Sequence, residues 1–459
     1  MAIITNDTRK LLLDELFTDF DSSATSYYIT IGRSDNWDNA EDSAPPAINT
    51  GREIRNFQLA AQSSIKIEDK SFVVPRYNWS SGTTYSQYDD NIVGFPTQPY
   101  YVMNDNNQVY LCVQRAVDTT TGLAKPSTVQ PTGNTSGTPF ETADDYIWKF
   151  LYSIGPLDAS KYLAANFMPV KLQGATDSDS PASDIEQKAV QDAAVAGQIV
   201  GFAIDSGGGG TTPYTSATAA VVGNGTGCEI AITVAGGTVT SATLNDSAGG
   251  IPMGQGYDYA AVTVTGNGEP PAKIRAILSS TTSPLGLGGD PRDDLRSNAV
   301  MFNAIPDGNE GGDFLIDEQN FRQVGIIRNP LDASGSLFTA STASNLRKIE
   351  LDNATEAEAY SIDALITGNT SGAKALIDRV DSTGLWYHQN ETTGFLNFDS
   401  AETITDGTNT ATVTNHYPIT SGTSPEFDTM TGDTLYIDNR PQVTRSSTQQ
   451  EDIKLVIQI

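Results

Sequence analysis

The stretch Tyr146-Ile147-Trp148-Lys149-Phe150-Leu151-Tyr152 decides the fold class. It is a short run of aromatic and aliphatic side chains between polar loops, and its pattern has the two-residue period of a β-strand. Similar runs occur at 28–31, 72–74 and 108–113. Together these segments predict the strands of one framework. The run at 454–459 predicts a strand that anchors the chain end in a sheet.

The glycine and proline content supports a β-rich fold. With 41 glycines and 22 prolines in 459 residues, the sequence favours turns and strands over long helices. A chain of this length exceeds what one hydrophobic core usually holds, so several domains are expected. We therefore predict a mainly β protein with a few helices (α+β), in which a discontinuous framework domain carries inserted β-sandwich or barrel-like modules.

Two segments carry helix signals. The first follows Thr5 or Asn6, either of which can cap a helix. Its apolar stripe consists of Leu12, Leu13, Leu16 and Phe17. This helix is expected to pack in the core or against a partner. A second helix is predicted over residues 53–62.

An internal near-repeat marks an inserted module within residues 198–280. Tyr214 followed by Gly223-Asn224-Gly225 recurs as Tyr257 followed by Gly266-Asn267-Gly268, at a constant offset of 43 residues. Each copy ends in an alternating strand, so the segment predicts a small duplicated β module.

Changes of composition set the predicted domain boundaries. The polar sequence at 177–184 is typical of a linker or loop tip, and the Ser/Thr/Gly/Asp texture returns at 335–425. The predicted parts are a framework with the first helix and strands (1–176), the duplicated module (177–289), a framework return (290–334), a second inserted β module (335–427) and a terminal framework strand (428–459).

The charge balance bears on partners and location. Against 27 Lys and Arg stand 56 Asp and Glu, giving a formal charge of −29 that repels phosphate backbones and anionic membrane surfaces. Nucleic acid is therefore not expected as a partner. We see neither a secretory signal nor an apolar run of about 18 residues, so synthesis in the cytoplasm and no membrane insertion are expected. Cys112 and Cys228 are predicted to be free thiols.

Few residue types that serve catalysis are present. His388 and His416 are the only histidines, and both are expected to be solvent-exposed or locally packed. No Gly-x-Ser-x-Gly elbow and no Gly-Lys dipeptide occur, which excludes a standard nucleophile elbow and a Walker A loop. The glycine clusters at 207–210 and 223–227 are interpreted as hairpin turns. No catalytic residue, cofactor-binding residue or cofactor is predicted.

Acidic and aromatic groups offer weaker alternatives. Two acidic clusters could present oxygen ligands to calcium but lack EF-hand spacing, so no metal site is predicted. They are Asp290, Asp293 and Asp294, and Asp307, Asn309, Glu310 and Asp313. The tryptophans could form sugar-stacking platforms, although core packing is favoured for most of them. They are Trp37, Trp79, Trp148 and Trp386, the last followed by Tyr387.

Six short blocks in order carry a family resemblance. They are Tyr28-Ile29-Thr30-Ile31-Gly32-Arg33-Ser34 with Trp37, Val74-Pro75-Arg76 with Trp79, Val109-Tyr110-Leu111-Cys112, Asp145-Tyr146-Ile147-Trp148-Lys149-Phe150-Leu151, Phe321-Arg322-Gln323 through Asn329-Pro330-Leu331, and Asp438-Asn439-Arg440-Pro441. The sequence resembles the dimeric smaller baseplate wedge subunit of T-even-type contractile-tailed phages. The two inserted β modules look like additions to that family.

The resemblance implies a structural role without catalytic residues. It implies a homodimer in the virion, assembled in the host cytoplasm and joined to other baseplate wedge proteins. Independently of the family, three arginines lie in apolar or aromatic sequence contexts: Arg33, Arg76 and Arg440. In such a place a guanidinium group can hold two loops together. The alternative is that they are ordinary surface arginines. Two alternatives come from other functional classes. One is a host-surface tail protein that binds saccharides through the inserted modules. The other is an envelope-degrading enzyme.

Overall fold

The computed structural model describes the chain in segments that form two compact units. The described residues are 5–37, 43–133, 135–244, 251–279, 286–305, 320–382, 384–417, 426, 428–444 and 452–459. Unit 1 comprises Met1–Asp14, Ser71–Met301 and Val456–Ile459, and unit 2 comprises Glu15–Lys70 and Phe302–Leu455. Strands dominate both units, which confirms the mainly β, multidomain fold class.

The elements follow one another along the chain in this order. The helices are α1 (Asn6–Phe20), α2 (Gly51–Leu59), α3 (Pro156–Tyr162), α4 (Ala182–Asp192), α5 (Pro291–Asp294) and α6 (Ala354–Ala357). The strands in the first half are β1 (Tyr27–Gly32), β2 (Ala61–Lys66), β3 (Asp69–Pro75), β4 (Tyr101–Met103), β5 (Gln108–Gln114), β6 (Phe140–Glu141), β7 (Ile147–Ser153), β8 (Phe167–Val170), β9 (Ile199–Ser206), β10 (Ala217–Gly223), β11 (Thr226–Cys228), β12 (Ile230–Ala235) and β13 (Thr238–Leu244). The later strands are β14 (Met253–Gln255), β15 (Ala260–Gly266), β16 (Lys273–Leu278), β17 (Ala299–Ala304), β18 (Asn320–Arg328), β19 (Thr342–Ser344), β20 (Arg347–Leu351), β21 (Leu365–Gly368), β22 (Lys374–Asp381), β23 (Gly384–His388), β24 (Thr403–Thr405), β25 (Thr410–Tyr417), β26 (Asp433–Thr444) and β27 (Ile453–Gln458).

Both predicted helices are present, with differences at their faces and ends. Thr5 Oγ1 accepts a hydrogen bond from the Thr8 amide (3.4 Å) at the start of α1. Leu13 is fully buried whereas Leu12 is 49% exposed, so the apolar stripe is narrower than predicted. The predicted end of α2 at residue 62 is wrong. The helix stops at Leu59 because the next residues form β2, which pairs with β1.

In unit 1, the sheet β4-β5-β7-β6 holds a core of large aromatic side chains. This core contains Tyr85, Tyr110, Tyr146, Trp148 and Phe150, together with Val190 from α4. Helix α4 thus packs against the sheet, although the sequence predicted a linker or loop tip over its first residues. A second sheet, β27-β17-β3-β8, lies over a smaller core.

The duplicated module of unit 1 forms by reciprocal pairing of its two copies. Strand β10 pairs antiparallel with its repeat equivalent β15, from Ala217 opposite Gly266 to Gly223 opposite Ala260. Strand β9 of the first copy pairs with β16 of the second, and β12 of the first pairs with β13 of the second. These pairings are related by an internal two-fold axis. Each strand named here therefore pairs with a strand of the other copy.

Side chains of the Gly-Asn-Gly turns also form hydrogen bonds between the two copies. Asn224 Oδ1 accepts a hydrogen bond from the Asp258 amide (3.0 Å), and at the equivalent place Asn267 Oδ1 accepts one from the Thr215 amide (3.0 Å). A Cβ atom at Gly268 would lie 2.4 Å from the ring of Tyr214. The repeated glycines therefore make room for the tyrosine of the opposite copy.

Replacing Gly268 with alanine is expected to destabilise unit 1 by about 1–3 kcal/mol, because the buried Tyr214 ring must move to admit the methyl group. Gly210→Ala is the matched control in the same module, since the nearest atom to its added Cβ is Pro270 Cδ at 4.0 Å. Urea-induced unfolding of the full chain measures both. Equal stability of the two variants would contradict the packing described for the turns.

Unit 2 contains an antiparallel sheet and a closed barrel. The sheet has the order β19-β2-β1-β18-β26, and the barrel has the order β20-β23-β22-β21-β24-β25. The barrel strands lie within residues 347–417. Its interior is filled by aliphatic and aromatic side chains such as Ile349, Ile377, Tyr387 and Phe398. The barrel therefore has a packed core.

Candidate functional site

Asp378 is the centre of a buried polar cluster in unit 2. It lies on β22 with no exposed surface. Its Oδ1 accepts hydrogen bonds from Ser34 Oγ (2.8 Å) and Gln62 Nε2 (2.9 Å), and its Oδ2 lies 2.7 Å from His388 Nδ1 on the neighbouring strand β23. The carboxylate thus links the barrel to the loop after β1 and to β2. We call Ser34, Asp35, Gln62, Asp378 and His388 the Asp378 cluster.

The cluster keeps His388 protonated. Burial alone would lower the pKa of His388, but the hydrogen bond to Asp378 and the negative charges of Asp378 and Asp35 outweigh burial and raise this pKa to about 10. The separation between His388 Nε2 and Asp35 Oδ1 is 3.6 Å, which is too long for a hydrogen bond and makes this contact an ion pair. His388 is therefore an imidazolium held between two carboxylates at neutral pH.

Ser34, His388 and Asp378 have the composition of a catalytic triad but a different geometry. In a triad the histidine lies between the serine and the acid. Here Asp378 lies between the other two residues and accepts a hydrogen bond from the Ser34 hydroxyl group. The three side chains belong to residues that are at most 3% exposed. In this arrangement the histidine cannot act as a base for the serine. The three side chains instead link separate segments of the fold.

Arg322 on β18 forms the second buried linkage of unit 2. The residue is 2% exposed. Its guanidinium donates to the Ser34 carbonyl, to Asn36 Oδ1 (2.7 Å) and to Gln442 Oε1 (3.1 Å). One fork-shaped donor thus ties the loop after β1 to the edge strand β26.

The three arginines that the sequence proposed as clamps differ in their contacts. Arg76 donates to the Ala164 carbonyl (3.0 Å), which joins two separated segments of unit 1. The Arg33 guanidinium lies over the Trp37 ring (4.2 Å), and Arg440 pairs with Asp438 two residues away (3.4 Å). The clamp geometry is clearest at Arg76. Sequence reasoning missed Arg322, whose signal was an arginine inside the apolar run of β18.

The first acidic cluster forms ion pairs within unit 1. Lys10 Nζ donates to Asp290 Oδ2 (2.9 Å) and Asp293 Oδ2 (2.8 Å), and Arg292 also pairs with Asp290. Asp294 is fully buried, which raises its pKa to about 8 and disfavours the charged form that a calcium ligand needs. The second cluster, at 307–313, lies outside the described residues.

The structure also bears on the cysteines, on metal-ligating side chains and on membrane-spanning helices. Cys112 is buried, Cys228 is half-buried, and both are free thiols. Within the described ranges, no group of three or more His, Cys, Asp or Glu side chains could hold a metal ion. Among the helices that the structure describes, none is long and apolar enough to cross a membrane.

The aromatic residues proposed for sugar stacking are mostly in cores. Trp37 and Trp148 are buried, and Trp79 packs against the aromatic core of unit 1. Tyr387 is 1% exposed inside the barrel, so it cannot form a stacking surface. Trp386 is half-buried between its cross-strand neighbours. These are Lys348, with Nζ 5.1 Å from the ring centroid, and Arg379, with Cζ 5.2 Å from it.

Comparison with known proteins adds no assignment to this geometry. No protein-family model matches the chain, and no curated protein matches its sequence.

Proposed function

We propose that the protein is a structural component of a phage tail baseplate wedge. In this role it forms a homodimer in the virion and links neighbouring baseplate proteins during assembly and tail contraction. It acts by holding surfaces in fixed positions and performs no catalysis. The proposal rests on the six ordered sequence blocks and on the way in which three of them meet in unit 2.

The single observation that carries the proposal is the pairing of blocks that are far apart in sequence. The blocks at 28–34, 321–331 and 438–441 fall on or beside β1, β18 and β26, which are consecutive neighbours in one sheet. Segments separated by about 290 and 110 residues therefore build one sheet. This arrangement is expected when a framework is kept while modules are added between its parts.

Side chains of these blocks also bond to one another. Trp37 Nε1 donates to the Arg440 carbonyl (2.9 Å), and Gln323 Nε2 donates to Asn439 Oδ1 (2.9 Å). With Arg322, these bonds fix the loop after β1 and strand β26 to β18. Side-chain hydrogen-bond networks rigidify a fold, and rigidity suits a subunit that transmits force between neighbours.

Mixing the purified full-length protein with the other wedge subunits of the same phage tests the proposal. The expected result is a stable complex that elutes as one species and contains the chain. A chain that remains alone in every combination of wedge subunits would contradict the proposed function.

A further inference from the structure

Unit 1 contains a polar cleft of about 890 Å³. Residues 86–98 and 114–122 form one side, and β9 and β13 of the duplicated module form the other. Its volume falls within the roughly 300–1,000 Å³ of clefts that bind small ligands. We propose that this cleft is a saccharide-binding site. The proposal goes beyond the wedge function and does not depend on it.

The two walls of the cleft are fixed to each other by hydrogen bonds. Gln87 Nε2 donates to the Phe202 carbonyl (2.9 Å), and Gln114 Oε1 accepts from the Leu244 amide (3.0 Å). Thr240 Oγ1 donates to the Thr119 carbonyl (2.6 Å). The cleft is therefore preformed, which lowers the entropic cost of binding.

The lining side chains suit a ligand rich in hydroxyl groups. Thr97, Gln98 and Arg115 line the cleft and are exposed, and within the described part of the chain their side chains have no hydrogen-bond partner. Amide, hydroxyl and guanidinium groups can donate to sugar hydroxyls, and the first two can also accept from them. Val93, which is 81% exposed, and Phe95 supply an apolar surface for the C–H face of a sugar ring.

Local charge also favours a saccharide over a phosphorylated ligand. The acid in the lining, Asp89, pairs with Arg275 (2.8 Å), and Asp90 beside it pairs with the same guanidinium (2.6 Å). Arg115 remains as the cation of the cleft. One exposed arginine in a chain of charge −29 is a poor site for phosphate but can bond to a sugar hydroxyl or a single sugar carboxylate.

An extended peptide is a less suitable ligand. Peptides often bind by adding a strand to a free sheet edge. Strand β13 borders the cleft, yet groups along it are already engaged. The Val239 amide donates to the Gly207 carbonyl (2.9 Å), and the Leu244 amide donates to Gln114. The amides of Val239 and Leu244 are therefore not available to an added strand.

A glycan array carrying neutral and uronic-acid oligosaccharides, probed with the full-length protein, tests the proposal. Retention of at least one oligosaccharide class is expected. Its dissociation constant should rise about tenfold or more in Arg115→Ala, which loses a charged hydrogen-bond donor, and in Thr97→Trp, which fills the cleft. Thr263→Trp on the exposed face of β15 is the matched control and should bind like the unmodified protein.

Melting temperatures of the three variants should equal that of the unmodified protein, since each altered side chain is exposed. Absence of binding to every oligosaccharide on the array would overturn the proposal. So would binding that Thr97→Trp leaves unchanged, or retention of extended peptides, instead of sugars, that Thr97→Trp abolishes.

Discussion

Replacing Arg322 with alanine is expected to lower the free energy of unfolding of unit 2 by about 3 kcal/mol. The buried guanidinium donates to Ser34, Asn36 and Gln442. Its loss removes all three bonds, takes this donor away from the carbonyl of the buried Ser34 and leaves a cavity where the side chain packed. Arg322→Lys should recover only part of the loss, because an ammonium group cannot reproduce the fork. Urea-induced unfolding of the full-length protein measures the change.

Arg440→Ala is the matched control for Arg322. The side chain of Arg440 is 48% exposed and pairs with Asp438 on the same strand. Its replacement should change the free energy of unfolding by less than about 1 kcal/mol. If both alanine variants unfold at the same urea concentration, the linking role of Arg322 is wrong.

The second large effect is a loss of stability at alkaline pH that depends on His388. The pKa of this histidine is 6.5 when unperturbed and about 10 in the fold. A group whose pKa is raised by folding stabilises the fold fully below its unfolded pKa, and this contribution disappears as the pH passes through the folded pKa. The stability of unit 2 should therefore fall between pH 6.5 and about pH 10.

His388→Gln removes the charge and should flatten this dependence. It should also lower stability at pH 6.5 by about 3 kcal/mol, because the buried Asp378 and the half-buried Asp35 lose the cation between them. His416→Gln is the control. Burial lowers the pKa of His416 from its ordinary value, and a histidine whose pKa is lowered by folding does not cause a loss of stability as the pH rises. The measurement is urea-induced unfolding as a function of pH. An equally steep alkaline decline in His388→Gln would exclude the imidazolium as its source.

Much of the β framework could be predicted from the sequence. Strands such as β1, β5, β7 and β18 carry dense runs of apolar side chains, since most of their residues are buried. A buried strand can be predicted from a short run of apolar residues alone, because that run reflects the burial of the strand. Helix α4 was missed because its polar, proline-containing start has the composition of a loop, although Val190 on its other face is buried.

Partners across the sheets could not be predicted in the same way. The 43-residue repeat was visible, but its offset does not say whether a copy pairs with itself or with the other copy. The structure shows pairing between copies. Similarly, the donors and acceptors around Asp378 come from residues 34, 62 and 388. Each looks ordinary in its local sequence, and only the tertiary fold brings them together.

The native mass of the full-length protein in solution tests the central claim most directly. A subunit that links baseplate neighbours as a homodimer should have twice the 48.9 kDa mass of the chain. That mass should persist on dilution to the concentrations used for mixing with wedge subunits. A mass of one chain at every concentration would contradict the proposed function.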